Sequence, residues 1–252
     1  MMRAIILAAG FGTRLYPLTE RRPKALLRLG GRTLLDHLMT KLEALDPIRE
    51  IVLVTNGRFY VDFFKWRMEA RYRKPIFIVE NGAYLPEKRK GAVRDLYMGL
   101  KTRQSLSDDF LILSSDSYFD FPLSHFLLPC LGHPKSAFIG FKDLKETERA
   151  GFYGVVELDS NGKVTGFEEK PSHPKSNLIS LGVYYFPNEF RLRVFEYLEI
   201  NGLNPDRIGD FLRWLIQKET VYGIEFDGTW FDIGDLLSYE QAKRFINVNA
   251  VS

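Results

Sequence analysis

Apolar and polar residues alternate along the first half of the chain in a pattern typical of strands and helices that follow one another. The short apolar run 4–7 ends close to a glycine and predicts a strand buried on both faces, as in a mostly parallel sheet. Leucines and Met39 then recur at helical spacing over 34–45, and the apolar run 51–54 predicts the next buried strand. These segments together predict a βαβ unit.

The same alternation continues beyond the first unit. The pattern predicts a helix over 61–71, a strand over 76–79, a helix from about 92 to 100 and a strand over 110–113. We therefore predict an α/β fold: a three-layer, Rossmann-like, mostly parallel (mixed) sheet with helices on both faces.

After about residue 136 the pattern changes to strands that follow one another with few helices between them. Residues 159–162 read Asp-Ser-Asn-Gly, a hairpin turn signal, so a smaller antiparallel substrate-binding or lid region is expected here. A helix from about 208, a strand over 221–226 and a closing helix over 236–247 follow. The antiparallel strands are predicted over 137–141, 154–158, 164–168 and 179–186.

The domain prediction is one domain over residues 1–252. Its first half, about 1–135, contains the alternating strands and helices, and its second half, about 136–252, contains the antiparallel strands and ends in the closing helix. Length alone allows one α/β domain or two small ones, and in either case the chain is long enough to bury a substantial core.

Composition narrows the class of protein. With 45% hydrophobic and 27% charged residues the chain is predicted to be globular, and a net charge of +3 is too small to favour a nucleic-acid partner. Its one cysteine, Cys130, allows no intramolecular disulfide, which is typical of a reducing compartment. No apolar run reaches the roughly 20 residues that a membrane span needs, so we expect a cytoplasmic protein without a membrane partner.

The loop after the first strand carries the strongest chemical signal. Gly10 and Gly12 allow backbone N–H groups to approach phosphate oxygens, and Arg14 and Lys24 add positive charge, so the loop is suited to a polyphosphate. A dinucleotide fingerprint would need a glycine where Leu15 stands. A Walker loop would end in Gly-Lys-Ser/Thr, whereas Thr13 and Arg14 follow Gly12 here.

Acidic residues follow the predicted strand 110–113. Asp116 and Asp120 lie just beyond its carboxyl end, where open α/β sheets bind ligands. Asp120 is interpreted equally well as a turn residue or as part of a metal shell. Asp232 stands in an apolar Trp-Phe-Asp-Ile segment, and a buried carboxylate needs a cation or hydrogen-bond donors.

The glycine loop resembles the signature of the sugar-nucleotidyltransferase family, the sugar-1-phosphate nucleotidylyltransferases. That signature reads Leu-Ala-Ala-Gly-x-Gly-Thr-Arg-Leu-x-Pro-Leu-Thr and then Pro-Lys-x-Leu, and every fixed position is matched between Leu7 and Leu26. The resemblance extends to later motifs of the family: Ser115-Asp116, Tyr153-Gly154, Glu169-Lys170-Pro171, the strand containing Gly182, and 230–234.

The resemblance implies an enzyme that joins a nucleoside triphosphate (NTP) to a sugar 1-phosphate and releases pyrophosphate. It implies Arg14 and Lys24 as catalytic cations, and Asp116 and Asp232 as catalytic residues that jointly hold Mg²⁺, a cation that prefers carboxylate, phosphate and water oxygens. The implied nucleotide-binding residues are Ala8, Ala9, Gly10, Gly12, Thr13, Arg14, Gly91 and Ala92. The implied sugar-phosphate-binding residues are Lys24, Gly154, Glu169, Lys170 and Gly182. The resemblance thus implies a nucleotide-binding half over about 1–135 and a sugar-phosphate-binding half over about 136–252.

Several alternatives stay open from the sequence. The basic segment 88–90 stands beside Gly91 and Ala92, where many relatives carry small residues near the base, so the base is not fixed. A cytidylyltransferase for a non-sugar phosphate, such as inositol phosphate or choline phosphate, is the second reading, and a choline site should show an aromatic cage. A non-catalytic regulatory homologue is the third. A homo-oligomer is possible.

Overall fold

A computed structural model describes residues 2–102, 108–201 and 207–249 of the protein. Nine of the strands form one mixed sheet, with a path in the order β10-β9-β11-β6-β1-β4-β5, and β8 and β12 join it beside β11. The strands are β1 (Met2–Ala8), β2 (Arg28–Leu29), β3 (Arg32–Thr33), β4 (Ile48–Thr55), β5 (Ile76–Glu80), β6 (Asp109–Ser114), β7 (Ser117–Phe119), β8 (Ala137–Asp143), β9 (Gly154–Leu158), β10 (Val164–Glu169), β11 (Leu178–Phe186), β12 (Val221–Glu225) and β13 (Trp230–Asp232).

Helices cover both faces of this sheet, which confirms the predicted α/β class. The β1 side chains alternate: Ala4 and Ile6 pack into a cluster with α1, α2 and α4, whereas Ile5 packs with α3, α6 and α7 on the other face. The helices are α1 (Leu34–Glu43), α2 (Tyr60–Glu69), α3 (Ala92–Lys101), α4 (Ser124–Leu131), α5 (Thr147–Ala150), α6 (Phe190–Asn201), α7 (Ile208–Leu215) and α8 (Leu236–Asn249).

The parallel part of the sheet is formed by β6, β1, β4 and β5. Ile5 of β1 is in register with Val52 of β4 and with Ile112 of β6, and all three side chains are fully buried. Because these four strands are parallel, their carboxyl ends meet along one edge of the sheet. Loops at that edge are therefore brought close together.

The α1–α2 side of the sheet is fixed by one carboxylate. Thr33 and Asp36 form a capping box at the start of α1, with the Asp36 backbone N–H donating to Thr33 Oγ1 at 3.0 Å. The Asp36 carboxylate also accepts hydrogen bonds from Trp66 Nε1 at 2.9 Å and from Tyr72 Oη at 2.8 Å. One side chain thus ties α1 to α2 and to the loop that leads to β5.

The antiparallel strands extend the main sheet. β11 pairs antiparallel with β6, β8 and β9, and the 159–162 turn joins β9 to β10 as predicted. The register of β11 shifts between Ser180 and Tyr184, at Gly182, whose φ is +71°. A glycine is needed there because a Cβ would lie 2.7 Å from Ser114 Cβ.

A third cluster lies outside the main sheet. Leu15 of the glycine loop packs with Ile233 and with Tyr239 and Ile246 of α8. Tyr239 Oη donates to the Arg28 carbonyl at 2.6 Å, which attaches α8 to the β2–β3 hairpin. Among the helices of the described residues, none has the length and apolar character that a bilayer crossing requires.

Candidate functional site

A cavity of about 460 Å³ opens at the carboxyl ends of β1 and β6. We call it the glycine-loop cavity. Its lining includes every residue of 7–14 together with Lys24, Ser115, Asp116, Glu169, Lys170 and, from other loops, Pro86, Arg89, Arg207 and Gly234.

The glycine loop is held by hydrogen bonds to its own carbonyl groups. The donors come from the ends of β4 and β6 and from the segment that follows the loop, and Asn56 and Thr19 are fully buried. The bonds are Ser115 Oγ to Leu7 O at 2.8 Å, Asn56 Nδ2 to Ala9 O at 3.0 Å and Thr19 Oγ1 to Gly12 O at 2.7 Å. The loop conformation is therefore set by the protein itself.

The two glycines have different reasons to be glycine. Gly12 has a φ of +64°, and a Cβ there would lie 3.3 Å from Thr19 Cγ2. Gly10 has no heavy atom within 4 Å of the position of a Cβ, so this position is open toward the cavity. Gly12 is required by backbone conformation, whereas Gly10 leaves space for a ligand.

Lys24 and Asp116 form an ion pair on one wall of the cavity. Lys24 Nζ lies 3.2 Å from Asp116 Oδ2, and Ser114 Oγ donates to Asp116 Oδ1 at 2.5 Å. Burial raises the pKa of Asp116, but the charge of Lys24 and the Ser114 bond outweigh it, so the pKa lies below its ordinary value. This carboxylate is ionised at neutral pH.

Asp232 reaches the same place through a two-stranded sheet. β13 pairs antiparallel with β7, Asp232 is in register with Ser117, and the Ile233 backbone N–H donates to the Asp116 carbonyl at 2.9 Å. Burial and the negative charge of Asp116 raise the pKa of Asp232 to about 6, against the opposing effect of Lys24 and Arg14. Two aspartates separated in sequence are thus electrostatic neighbours.

The donor chemistry of this pair fits Mg²⁺. Two like charges that raise the pKa of one partner are stabilised by a shared divalent cation. Mg²⁺ is commonly held by one or two carboxylates with phosphate oxygens and water completing its shell. The residues that the structure describes contain no group of three or more His, Cys, Asp or Glu that could hold a metal without such help.

A second cavity, of about 240 Å³, adjoins the first. We call it the aromatic cavity, and it shares Arg14, Asp116, Glu169 and Lys170 with the glycine-loop cavity. Its lining is rich in aromatic rings and small residues. It includes Phe152, Tyr153, Phe167, Tyr184 and Trp230, with Gly154, Gly182, Ser180, Ile208 and Asp232.

Glu169 is placed where the two cavities meet by two glycines. A Cβ at Gly209 would lie 2.3 Å from Glu169 Oε2, and one at Gly154 would lie 3.4 Å from the same oxygen. Burial raises the pKa of Glu169, with Lys170 and Arg207 acting in the opposite direction. A carboxylate that is costly to bury and remains in a cavity is a candidate ligand-binding group.

Lys170 adopts a backbone conformation that non-glycine residues rarely use. Its φ is +51°, and its backbone N–H donates to the Tyr153 carbonyl at 2.9 Å. The residue that follows is Pro171, which further restricts Lys170. Strained backbone of this kind clusters at functional sites.

The structure gathers most of the sequence-predicted site residues around these two cavities. Gly91 and Ala92 do not line either cavity; Gly91 begins α3 with a φ of +87°, and Pro86 and Arg89 of the same loop reach the lining instead. Ala8, Ala9, Gly10, Gly12, Thr13, Arg14, Lys24, Asp116, Glu169 and Lys170 line the glycine-loop cavity, and Gly154, Gly182 and Asp232 line the aromatic cavity.

Sequence reasoning missed several residues of the site. Ser114 contacts the Asp116 carboxylate, and Asn56 and Thr19 hold the glycine loop. A signal existed for Asn56, which follows the apolar strand 51–54 as a polar residue at a strand end. Arg207, which lines the glycine-loop cavity, precedes a helix and carried no such signal.

Comparison of the sequence with known proteins shows which family the chain matches. The pattern of the family described as Nucleotidyl transferase matches residues 3–249. The chain is 31% identical over 248 residues to the Bifunctional protein GlmU of Methanocaldococcus jannaschii, covering 97% of this chain and 54% of that protein. It is 29% identical to the Mannose-1-phosphate guanylyltransferase catalytic subunit beta of Drosophila melanogaster, covering 92% of this chain and 59% of that protein.

Solved structures share the fold at lower identity. A UDP-glucose pyrophosphorylase complexed with UDP-glucose superposes with a TM-score of 0.79 at 20% identity, covering 99% of each chain. The chain spans about half the length of the GlmU proteins it matches.

Proposed function

The chain belongs to the Nucleotidyl transferase family, and we propose that it joins an NTP to a sugar 1-phosphate, forming a nucleotide sugar and pyrophosphate. One observation carries this proposal. The glycine-loop cavity and the aromatic cavity meet at Arg14, Asp116, Glu169 and Lys170, so that two phosphorylated substrates would approach each other at a point lined by cations and carboxylates.

The glycine-loop cavity is proposed to hold the triphosphate. Gly10 leaves the space that phosphate oxygens need, and Arg14 offers a guanidinium to the departing β- and γ-phosphates. Lys24 is proposed to neutralise the attacking phosphate or the α-phosphate. Because the attacking phosphate is already ionised, no general base is needed, and positioning and charge neutralisation supply the catalysis.

Asp116 and Asp232 are proposed to hold Mg²⁺ between them. When bound, the cation would neutralise charge on the α- and β-phosphate oxygens. Lys24 Nζ lies 3.2 Å from Asp116 Oδ2, so its charge would add to that of the cation at the same phosphate oxygens. Ser114 and the β7–β13 pairing orient the two carboxylates, so the protein fixes this part of the site before substrates arrive.

The aromatic cavity is proposed to hold the acceptor. Glu169 would accept hydrogen bonds from ring hydroxyls, and Lys170 would contact the acceptor phosphate. Phe152 and Trp230 present ring surface that suits the apolar face of a sugar. Gly154 and Gly182 belong to the wall of this cavity, but protein atoms already fill the position of a Cβ at each, Phe167 Cζ at 2.6 Å and Ser114 Cβ at 2.7 Å, so neither glycine by itself opens space for the ring.

Release of pyrophosphate tests the proposal directly. Purified protein with Mg²⁺ is assayed against the common NTPs crossed with a panel of sugar 1-phosphates, inositol phosphate and choline phosphate. We expect pyrophosphate only when one NTP and one sugar 1-phosphate are both present. If no combination of NTP and acceptor released pyrophosphate, the result would instead support a non-catalytic homologue that binds without turnover.

A second candidate is favoured by the aromatic lining. A quaternary ammonium is recognised by aromatic rings and a nearby carboxylate, and Tyr153 and Trp230 pack at 73° with Glu169 in the same cavity. Choline phosphate is therefore the alternative acceptor. However, Phe167 and Tyr184 are each only 4% exposed, so they contribute little open ring face, and the sugar remains the leading acceptor.

A further inference from the structure

We propose that the outer face of α2 is the contact surface of a homodimer, in which this helix pairs antiparallel with α2 of a second copy of the chain. The inference goes beyond the proposed function and does not depend on it. It starts from an apolar surface that the described part of the chain leaves exposed to solvent.

Large apolar side chains form one stripe on the outer side of α2. Val61 is 57% exposed, Phe64 49% and Met68 71%. Their spacing of three and four residues places them on one side of the helix. The opposite side faces the core, because Phe63 is fully buried and Trp66 Nε1 donates a hydrogen bond to a side chain of α1. A helix with apolar residues on both sides is expected to be covered on both.

The stripe continues onto the loop that follows β5. A Cβ at Gly57, four residues before Val61, would lie 2.5 Å from Tyr84 Cζ, so the Tyr84 ring lies against the turn that leads into α2. Both Tyr84 and Leu85 are exposed. Contiguous apolar patches with a polar rim mark interaction sites. We call this surface the α2 face; it consists of Val61, Phe64, Met68, Tyr84 and Leu85.

Charged side chains stand beside the stripe on α2. Within the described residues, none of these four forms an ion pair: Asp62, Lys65, Arg67 and Glu69. Ion pairs do join neighbouring residues of another helix, as between Arg193 and Glu196 of α6. Charges of both signs beside an apolar stripe are typical of a helix that selects a partner helix by charge.

Antiparallel pairing about the middle of α2 places these charges in opposite pairs. Bringing the two ends of the stripe together, with Val61 against Met68 of the second copy, fixes the register. In that register Asp62 lies opposite Arg67 of the second copy, and the twofold axis repeats the same ion pair. Parallel pairing would instead set each charge against its own copy, which is repulsive.

The remaining pairs of this register are also favourable. Phe64 lies opposite Lys65 of the second copy, which suits a cation over a ring face. Tyr60 stacks with Phe64 at a centroid distance of 6.4 Å and lies opposite Glu69 of the second copy, an acceptor for its hydroxyl. The α2 face is therefore complementary to itself, which favours a second copy over an unrelated protein.

The size of the contact sets the expected strength of the dimer. The ten residues of α2 form a helix about 15 Å long, so the contact is at the small end of specific interfaces. Small interfaces are typical of transient complexes, and we therefore expect monomer and dimer to exchange reversibly.

Sedimentation equilibrium over a dilution series tests the dimer. Wild-type protein should change from monomer to dimer as its concentration rises to about 300 μM. Phe64→Lys removes the ring and places a lysine opposite Lys65 of the second copy, so this variant should stay monomeric. Leu192→Lys is the control, the same kind of change at an exposed apolar position of α6, and it should dimerise like wild type.

A charge exchange tests the register. Asp62→Arg and Arg67→Asp should each weaken dimerisation about tenfold, because the ion pair occurs twice in a symmetric dimer. The double variant Asp62→Arg/Arg67→Asp restores opposite charges, so its dimer dissociation constant should lie within about threefold of the wild-type value.

Disulfide cross-linking tests the orientation. Cys130, the one cysteine of the sequence, is fully buried and gives no background. A mixture of Val61→Cys and Met68→Cys proteins should form a disulfide between the two variants. Neither variant should cross-link with itself, because each position lies about 10 Å along the helix axis from its own copy.

The contrary results are distinct. Wild-type protein that stays monomeric over the whole series would overturn the proposal and leave the α2 face to a different protein. A dimer that persists in Phe64→Lys would have another contact surface. Val61→Cys protein that cross-links with itself would show a parallel arrangement, and a double charge variant that is weaker than both single variants would contradict the register; each of these overturns the proposal.

Discussion

The two cavities that share Arg14, Asp116, Glu169 and Lys170 are built in different ways. The glycine-loop cavity contains one continuous segment, 7–14, in its lining, and the backbone of that segment is held by bonds such as Asn56 Nδ2 to Ala9 O. The aromatic cavity is walled by side chains from antiparallel strands and from the segments that lead into them. The conformation of that segment depends on the few side chains that hold it, whereas the wall of the aromatic cavity changes with each substitution of a lining residue. We therefore expect substitutions that line the aromatic cavity to change the proposed acceptor preference more readily than substitutions near the glycine loop change the proposed triphosphate binding.

The largest expected effect lies where the two cavities meet. Asp116→Asn and Asp232→Asn should each lower turnover by about a hundredfold to a thousandfold, because each removes a carboxylate proposed to hold Mg²⁺. Pyrophosphate release measures the loss. Asp227→Asn, the same chemical change at an exposed position, is the control and should keep wild-type rates. Near-normal turnover in either Asp116→Asn or Asp232→Asn would contradict the proposal that the two carboxylates share a metal ion.

Glu169→Gln should weaken acceptor binding by about 10- to 100-fold, the value of a charge-assisted hydrogen bond, and leave the Michaelis constant (KM) for the NTP unchanged. The same substitution should increase the stability of the free protein, although it weakens acceptor binding. Because burial raises the pKa of Glu169 in the folded state, the ionised carboxylate destabilises the free protein above that pKa.

Thermal unfolding over a pH series checks that sign. Glu169→Gln should raise the melting temperature at neutral pH. The advantage should shrink as the pH falls through the raised pKa, because the wild-type carboxylate then becomes neutral as well. A variant that melts below wild type at neutral pH would contradict the assigned electrostatics.

The glycine-loop cavity is tested by a matched pair of glycine variants. Gly10→Ala adds a methyl to open space, so the melting temperature should not change while the KM for the NTP rises about tenfold. Gly12→Ala forces a side chain to a φ of +64° at a cost of about 1–2 kcal/mol. If both variants lowered stability equally, the open space at Gly10 would not be a ligand space.

The smallest effect is expected on the aromatic cavity. Phe152 is 71% exposed, so Phe152→Ala should leave the melting temperature unchanged. The loss of ring surface should raise the KM for the acceptor about two- to tenfold, without a change for the NTP. Steady-state kinetics with each substrate varied in turn separates the two. A rise in KM for the NTP alone would contradict the proposal that the aromatic cavity holds the acceptor.

The sequence predicted best what depends on local pattern. The buried strands β1, β4, β5 and β6 were recognisable from their apolar runs, and the loop after β1 from its motif. Three helices were missed, α4, α5 and α6, and α5 has only four residues. In α6 the core residues Val194 and Leu198 have helical spacing, but Leu192 and Ile200 are apolar and exposed, which obscures the pattern, and α4 contains Pro129.

Features that depend on distant pairing were not readable from the pattern of residues, and only the family resemblance led us to expect Asp116 and Asp232 together. The meeting of Asp116 with Asp232 depends on β7 and β13, strands of three residues each, which are too short to show alternation. The continuation of the parallel sheet into the antiparallel strands depends on β11 lying beside β6. Neither contact leaves a local signal, because both join segments far apart in the chain.

The packing of α8 against the glycine loop has a consequence for how the protein is made. Tyr239 contacts Arg28 across 211 residues, and Leu15 packs into the same cluster. At a synthesis rate of about 5–20 residues per second, roughly 10–40 seconds separate the two segments as they leave the ribosome. We expect the glycine loop of the nascent chain to reach its final conformation, and with it the proposed affinity for a triphosphate, only after α8 has emerged.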